Sequence, residues 1–438
     1  MTDRDDFTTD GKGRRGDGGK QAGKATASVD VADGGVEQAE SAERDEAVAH
    51  DKAAERAARR QRNRAEREAR QAANREARAA RKGDAAERPA PVQFRPAWPG
   101  KPRTLSAPAA STPFNILAIG QSGRLEREAA LLAASLRHSA PGFAGRLIVA
   151  EPQPSGAWET RDVRMSPASR EALQALGADI VPLHAREFGR AYPHGNKIEA
   201  LSLLPAGEPF LFLDSDTVVT GALDRVPFDF ARPTASMRRE GTWPEPPLYG
   251  PGYEAIWRSL YDRFGLDFPS SLDPSQPDEH WERYLYFNAG WFSGPDPAEF
   301  GRRFLDWSRE VRNDPGEALA TQELVPWLDQ VVLPLVVHSL GGGRPGPELA
   351  GMDGDVTWHY RRLPLLYASG TDSAVETVEA LARLPELAPV MADWDAWQQL
   401  VVAGNGRRLV RPLFDRDRLP KREQAIRQTL RANSLWFD

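Results

Sequence analysis

The chain has 438 residues, 40% of them hydrophobic and 27% charged, with no cysteine and a formal net charge of −6. The lack of cysteine excludes a disulfide framework, a cysteine zinc site and a thiol nucleophile. The charge is uneven: residues 51–82 hold 12 basic against 5 acidic residues, a net of +7 that leaves −13 for the rest, which argues against a nucleic-acid groove across a folded domain.

Residues 1–110 read as a disordered and charged helical arm with a Pro-rich linker. The first 35 residues are rich in Gly, Asp and Lys and too polar to repay the entropy of ordering. Residues 36–82 lack Gly and Pro and have strong helix propensity, but the only apolar stripe is alanine, at Ala54, Ala58, Ala65, Ala69 and Ala72. Such a helix is solvated, and its basic surplus suits a weak contact with an anionic membrane through residues 51–82. The linker runs from Pro89 through Pro113. The start of the chain has no apolar signal region, and no apolar run approaches the roughly 18 residues that span a bilayer. The expectation is a cytoplasmic protein, peripheral at the inner membrane surface.

Order begins at Phe114. Residues 114–119 (FNILAI) read as a buried strand ended by Gly120 and Gly123, and Glu126–His138 as a helix with Ala129, Leu132, Ala133 and Leu136 on one face. Arg146–Ala150 is a second strand, Ser169–Leu176 a helix stopped by Gly177, and Asp179–Leu183 a third strand. Asn196 is placed to cap a short helix ending at Pro205, and Phe210–Leu213 is a fourth strand. Strands alternating with helices imply an α/β domain with a mostly parallel central sheet. The strands are continuously apolar, so both sheet faces are covered. In such sheets ligands bind beyond the carboxyl ends of the strands.

Asp214-Ser215-Asp216 stands at that end of the fourth strand. Spacing of i, i+2 on extended backbone directs both carboxylates to one side. Carboxylate oxygens are the hard ligands that Mg2+ or Mn2+ share with substrate phosphates, and a cation there offsets the charge of a departing diphosphate. The plainer reading is a strand-to-turn junction in which aspartates cap backbone groups.

Asn196-Lys197-Ile198-Glu199 followed by Leu211-Phe212-Leu213-Asp214-Ser215-Asp216 resembles the GT-A fold glycosyltransferases, most closely the family 8 retaining enzymes (glycogenin and bacterial galactosyltransferase-like). The resemblance spans roughly residues 113–367 and implies a GT-A, Rossmann-like nucleotide-diphospho-sugar transferase domain over residues 111–370. It implies a metal held by Asp214, Asp216 and His359, the last from Trp358-His359-Tyr360, with Mn2+ or Mg2+ as cofactor. It places Lys197, Asn196 and Asp214 at the donor. Asn288, from Phe287-Asn288-Ala289-Gly290, would face the sugar, and Asp329 and Gln330 would lie at the reacting carbon. Two elements depart from the family. Gly120-Gln121-Ser122-Gly123-Arg124 stands where an aromatic usually stacks on the base, and Arg361-Arg362-Leu363-Pro364 replaces a late Lys-Pro-Trp, leaving Arg361, or else Arg362, to meet the pyrophosphate at the donor.

The implied reaction moves a hexose from a nucleoside diphosphate sugar to a hydroxyl of a sugar or glycan acceptor, with retention. Trp243, Tyr249, Tyr253, Trp257, Tyr261, Trp281 and Tyr284 are the acceptor-platform candidates, or else a satellite core. Residues 371–438 read as a helical extension packed on the domain. Three other readings stay open: a sugar-phosphate nucleotidylyltransferase, whose Gly-rich Arg-Leu loop residues 120–125 faintly resemble, a non-catalytic binding module, and a nucleic-acid binder through the basic arm alone.

Overall fold

The computed structural model describes residues 113–239 and 241–437. The arm expected over residues 1–110, with its alanine-striped helix, lies outside the described residues. The described chain contains eight strands: β1 (Asn115–Ile119), β2 (Leu147–Pro152), β3 (Ala178–Leu183), β4 (Phe210–Leu213), β5 (Thr217–Val219), β6 (Thr234–Ser236), β7 (Asn288–Gly294) and β8 (Thr357–His359). The helices that matter here are α1 (Arg124–Ser139), α2 (Pro167–Ala175), α3 (Asn196–Glu199), α4 (Tyr253–Arg263), α5 (Pro297–Asn313), α6 (Leu328–Ser339), α7 (Leu363–Ser369), α8 (Asp372–Leu381) and α9 (Glu423–Ala432).

Six strands form one sheet in the order β3-β2-β1-β4-β7-β6. The first four are mutually parallel, and β7 runs antiparallel to both β4 and β6. The mostly parallel α/β sheet expected of a GT-A domain is therefore present. Because β6 and β4 are each antiparallel to β7, they run the same way, and the chain leaves both at the same sheet edge. A separate two-stranded ladder pairs β5 with β8.

Strand pleating splits the core in two. Ile116, Ala118, Leu211 and Leu213 face one buried cluster with Leu132 and Leu136 of α1 and with Val375, Val378 and Leu381 of α8. Their alternates Leu117, Ile119, Phe210 and Phe212 face the other, with Phe300 and Phe304 of α5 and Val332 and Val336 of α6. Alternate residues point to opposite faces of a strand, so burial of both sets explains why β1 and β4 read as unbroken apolar runs. The middle of the sheet is thus held between two helical layers, leaving its edges and its strand ends for ligands.

Helix starts follow local chemistry. Gly123, at φ 87°, makes the left-handed turn into α1 and donates its N–H to Glu126 at 2.9 Å. Ser166 caps α2, ahead of Pro167. Asn196 departs from its expected role: it is already helical, Gly195 precedes it as the cap, and its side chain makes long-range bonds instead. Trp158 Nε1 donates to Asn196 Oδ1 at 3.0 Å, and Asn196 Nδ2 donates to Gln121 Oε1 at 3.2 Å. A buried amide needs several partners at once, and here tertiary neighbours supply them better than a helix terminus would.

Candidate active site

Asp214 begins where β4 ends. Register Leu213↔Trp291 continues the ladder by one bond, from the Asp214 N–H to the carbonyl of Gly290 at 2.8 Å. Ser215 turns inward and donates its hydroxyl to the carbonyl of Ile119. Asp216 then stands one residue before β5. In β5–β8 pairing Thr217 faces His359, and the Tyr360 N–H donates to the Asp216 carbonyl at 2.9 Å. This short ladder carries a histidine from far along the chain to the aspartates.

One ligand atom from each of Asp214, Asp216 and His359 lies within 4.8 Å of the others. His359 Nε2 is 3.0 Å from Asp216 Oδ1 and 3.8 Å from Asp214 Oδ2. Two carboxylate oxygens and an imidazole nitrogen converging in this way fit a divalent cation, with nitrogen suiting Mn2+ better than an all-oxygen set would. The imidazole packs on a residue with no side chain: a Cβ on Gly290 would sit 2.3 Å from His359 Nδ1 and 2.6 Å from Asn288 Oδ1. Gly290→Ala is therefore expected to displace His359, weaken metal-dependent nucleotide binding and cost about 1–3 kcal/mol of stability. Thermal unfolding and calorimetric titration with Mn2+ check this, and unchanged affinity would separate His359 from the cation site.

Two cations flank the aspartates. Lys197 Nζ, on α3, lies 2.9 Å from Asp214 Oδ1 and 3.2 Å from Asp329 Oδ2, and donates to the Ala289 carbonyl at 3.1 Å. Burial alone would discharge this ammonium, but Asp214 and Asp329 together hold its pKa above the ordinary lysine range. On the other side Arg124, at the start of α1, binds Glu128, reaches Asp216 Oδ2 at 3.5 Å and donates to the Arg361 carbonyl at 3.1 Å. Burial opposes charge on Asp216, yet His359, Arg124 and Arg361 hold its carboxyl well below the usual carboxylate range. Glu128 shows the opposite balance, with burial pushing its carboxyl up to about 8 against the pull of Arg124.

Asp329 and Gln330 occupy the first turn of α6. Asp329 is buried and spoken for: Tyr192 Oη donates to its Oδ1 at 2.8 Å and accepts its N–H at 2.9 Å. Gln330 Oε1 accepts from Tyr286 Oη at 3.0 Å. Asn288 turns its Oδ1 onto the Gly290 N–H at 2.8 Å.

The structure thus gathers Asp214, Asp216, His359, Lys197 and Asp329 into one hydrogen-bonded and ion-paired group, with Gln330 and Asn288 beside it. Arg361 stays near enough to act electrostatically on Asp216, but at φ 59° its backbone is left-handed, and its guanidinium binds Glu423 of α9 at 3.0 Å and the Arg238 carbonyl at 3.4 Å. Sequence reasoning passed over Tyr192 and Tyr286, and it named Gln121 and Arg124 in the loop after β1 without placing them at this site. Arg124 was legible as the first cation after the Gly turn that ends β1, and Tyr286 as the neighbour of Phe287-Asn288.

The aromatic platform needs correction. Trp243, Trp257, Tyr261 and Tyr284 are buried in the core cluster under α6, Trp243 packing edge-on to Trp257 with centroids 5.3 Å apart. Their insertion between β6 and β7 turns these rings into the core that the sheet shares with α6, because large rings contribute most when removed from water. Tyr249 is 93% exposed, and Trp281 and Tyr253 are partly covered.

A family model described as the Rhodobacterales glycosyltransferase domain matches residues 116–341, just over half of the chain. The chain belongs to this glycosyltransferase family. The transferase match includes Lys197, Asp214, Asp216, Asn288, Asp329 and Gln330 and ends before β8 and His359. No curated protein matches the chain. Among solved structures, it is similar to galactosyltransferase LgtC in complex with donor and acceptor sugar analogs, at 16% identity and TM-score 0.32 over 53% of this chain and 73% of that one. Glycosyltransferase GlyE of Streptococcus pneumoniae TIGR4 matches at 12% identity and TM-score 0.31, over 75% of this chain and 65% of that one. The bifunctional enzyme WbbM matches at 14% and 0.32, over 66% and 52%. No described helix of the transferase is long and apolar enough to cross a membrane.

Proposed function

We propose that the transferase moves a hexosyl group from a nucleoside diphosphate sugar to a hydroxyl of a sugar or glycan acceptor, using a divalent cation. The observation that carries this reading is the convergence of Asp214, Asp216 and His359 at the carboxyl end of β4, with Lys197 beside them. A bound Mn2+ or Mg2+ would neutralise charge on the departing diphosphate. Lys197 adds a fixed positive charge on the same side, pre-oriented by Asp214 and Asp329, so little reorganisation accompanies the reaction. Asp329 acts as the anchor of Lys197 and of the α6 turn, not as a free carboxylate. Its role is to position Gln330, which Tyr286 holds by its amide oxygen, leaving the amide N–H groups to face the sugar. Asn288 orients the same ring from β7.

Retention follows from the likeness to the family 8 enzymes and is part of the proposal. The test is a screen of nucleoside diphosphate sugars with Mn2+, followed by Gln330→Ala. Because Gln330 meets the reacting sugar and not the diphosphate, its loss is expected to lower kcat by about 100-fold while KM for the donor changes little. Equal losses in both would return Gln330 to a helix-start residue, and absence of any hydrolysis or transfer across the screen would remove the donor assignment itself.

A further inference from the structure

Arg239 is a half-buried cation of this sheet edge that makes no ion pair among the described residues. It lies three residues past β6, whose Ser236 pairs with Asn288, and β6 shares its direction with β4, so residues 237–239 emerge on the ligand side. Its guanidinium stands 4.5 Å from the ring of Trp281 and 5.9 Å from the ring of Tyr286, the tyrosine bonded to Gln330. Nη1 is sealed from solvent with no hydrogen-bond partner among the described residues. Its neighbours are provided for differently. Lys197 and Arg124 sit on carboxylates, and Arg344 donates to the carbonyls of Ser271 and Arg283 at 2.9 and 3.0 Å. Burial pushes Arg239 down to about 10; Glu282 and Tyr286 only partly offset this, and Arg344 adds like charge.

Keeping a guanidinium nitrogen sealed from water without a hydrogen-bond partner is costly, and the aromatic faces repay only part of it. A planar guanidinium is the group that matches a carboxylate or phosphate bidentately, and here its Nη1 has no partner among the described residues. We infer that Arg239 recognises an anionic group on one of the two saccharides brought together beside Gln330, that is, a carboxylated or phosphorylated sugar. This rests on the transferase reading of the site and adds the substrate class to it.

The experiment is calorimetric titration of the full chain. UDP, GDP, ADP and dTDP with Mn2+ first establish the nucleotide side. With the bound nucleotide saturating, methyl glucuronide is compared with methyl glucoside, and glucose 6-phosphate with glucose. The donor pair is UDP-glucuronate against UDP-glucose. The expected result is an anionic member binding about 10- to 100-fold tighter than its neutral counterpart, the effect of one charge-assisted hydrogen-bond set. Preference in the free-sugar pairs places the anion on the acceptor, and preference in the donor pair places it on the donor. Arg239→Gln should erase the preference and leave Mn2+–nucleotide affinity unchanged. Arg239→Lys, which keeps the charge against Trp281, should reduce the preference and guards against a glutamine variant that fails to fold. Equal binding within every pair in the wild type, or a preference that survives both substitutions, overturns the assignment. Failure of every nucleotide to bind instead overturns the transferase donor site.

Discussion

Asp216→Asn is expected to abolish metal-dependent nucleotide binding, lowering affinity by more than the roughly 10- to 100-fold that loss of a merely supporting partner of a metal ligand costs. Asp214→Asn should do the same. Each substitution keeps the shape of the side chain and removes one of the two anionic oxygens that meet His359 Nε2 within 4.8 Å. Neither should unfold the protein. After Asp214→Asn, Lys197 retains Asp329 and the Ala289 carbonyl; after Asp216→Asn, Arg124 retains Glu128. The stability loss should therefore stay below the roughly 3 kcal/mol expected when a buried charge is stripped of all partners. Titration of a nucleoside diphosphate with and without Mn2+, alongside thermal unfolding, reads both numbers. Variants that bind nucleotide with the wild-type metal requirement would put the cation elsewhere.

What was legible in the sequence was whatever is local. Strands β1 and β4 are short apolar runs ended by glycine or aspartate, and both faces of each are buried, so composition alone marked them. Asp214 and Asp216 were visible because their spacing and their place after a buried strand are both local facts. His359 offered no spacing of that kind and was marked only by the likeness of Trp358-His359-Tyr360 to a family element. Its position depends on the β5–β8 ladder, in which three residues pair with three across most of the domain, a contact that periodicity cannot reveal. Lys197 is a similar case, since its partner Asp329 lies on a different helix. The aromatic stretch after β6 misled for a physical reason. A tryptophan suits a sugar platform and a small core equally well, and only the tertiary setting decides, burying Trp243 and Trp257 while leaving Trp281 partly open. Asn196 misled in the same way, its composition suiting a cap while Trp158 and Gln121 claim its side chain.

Lys197→Met should produce the largest loss of stability among the site variants, about 3–5 kcal/mol. The ammonium sits between Asp214 and Asp329 at 2.9 and 3.2 Å, over the Phe212 ring at 5.2 Å, and Asp329 is almost wholly buried. Methionine fills much of the same volume but leaves both carboxylates without their shared cation. Asp329 still has Tyr192 Oη, a neutral donor that cannot offset a full charge. The pH sign follows from the raised Lys197 pKa: its contribution is fully present below the unfolded lysine value and is lost only as pH rises through the higher folded value. The deficit of the variant should therefore be flat across the neutral range. The double variant Lys197→Met with Asp329→Asn removes one of the stranded charges and should recover part of the loss, a non-additivity that denaturant unfolding of the four-member cycle measures directly. Simple addition of the two single losses would deny the Lys197–Asp329 coupling. The same double variant also separates folding from chemistry. If it is stable yet binds Mn2+–nucleotide much more weakly than wild type, Lys197 serves the donor; if its affinity is wild-type, the lysine holds α3 against α6 and nothing more.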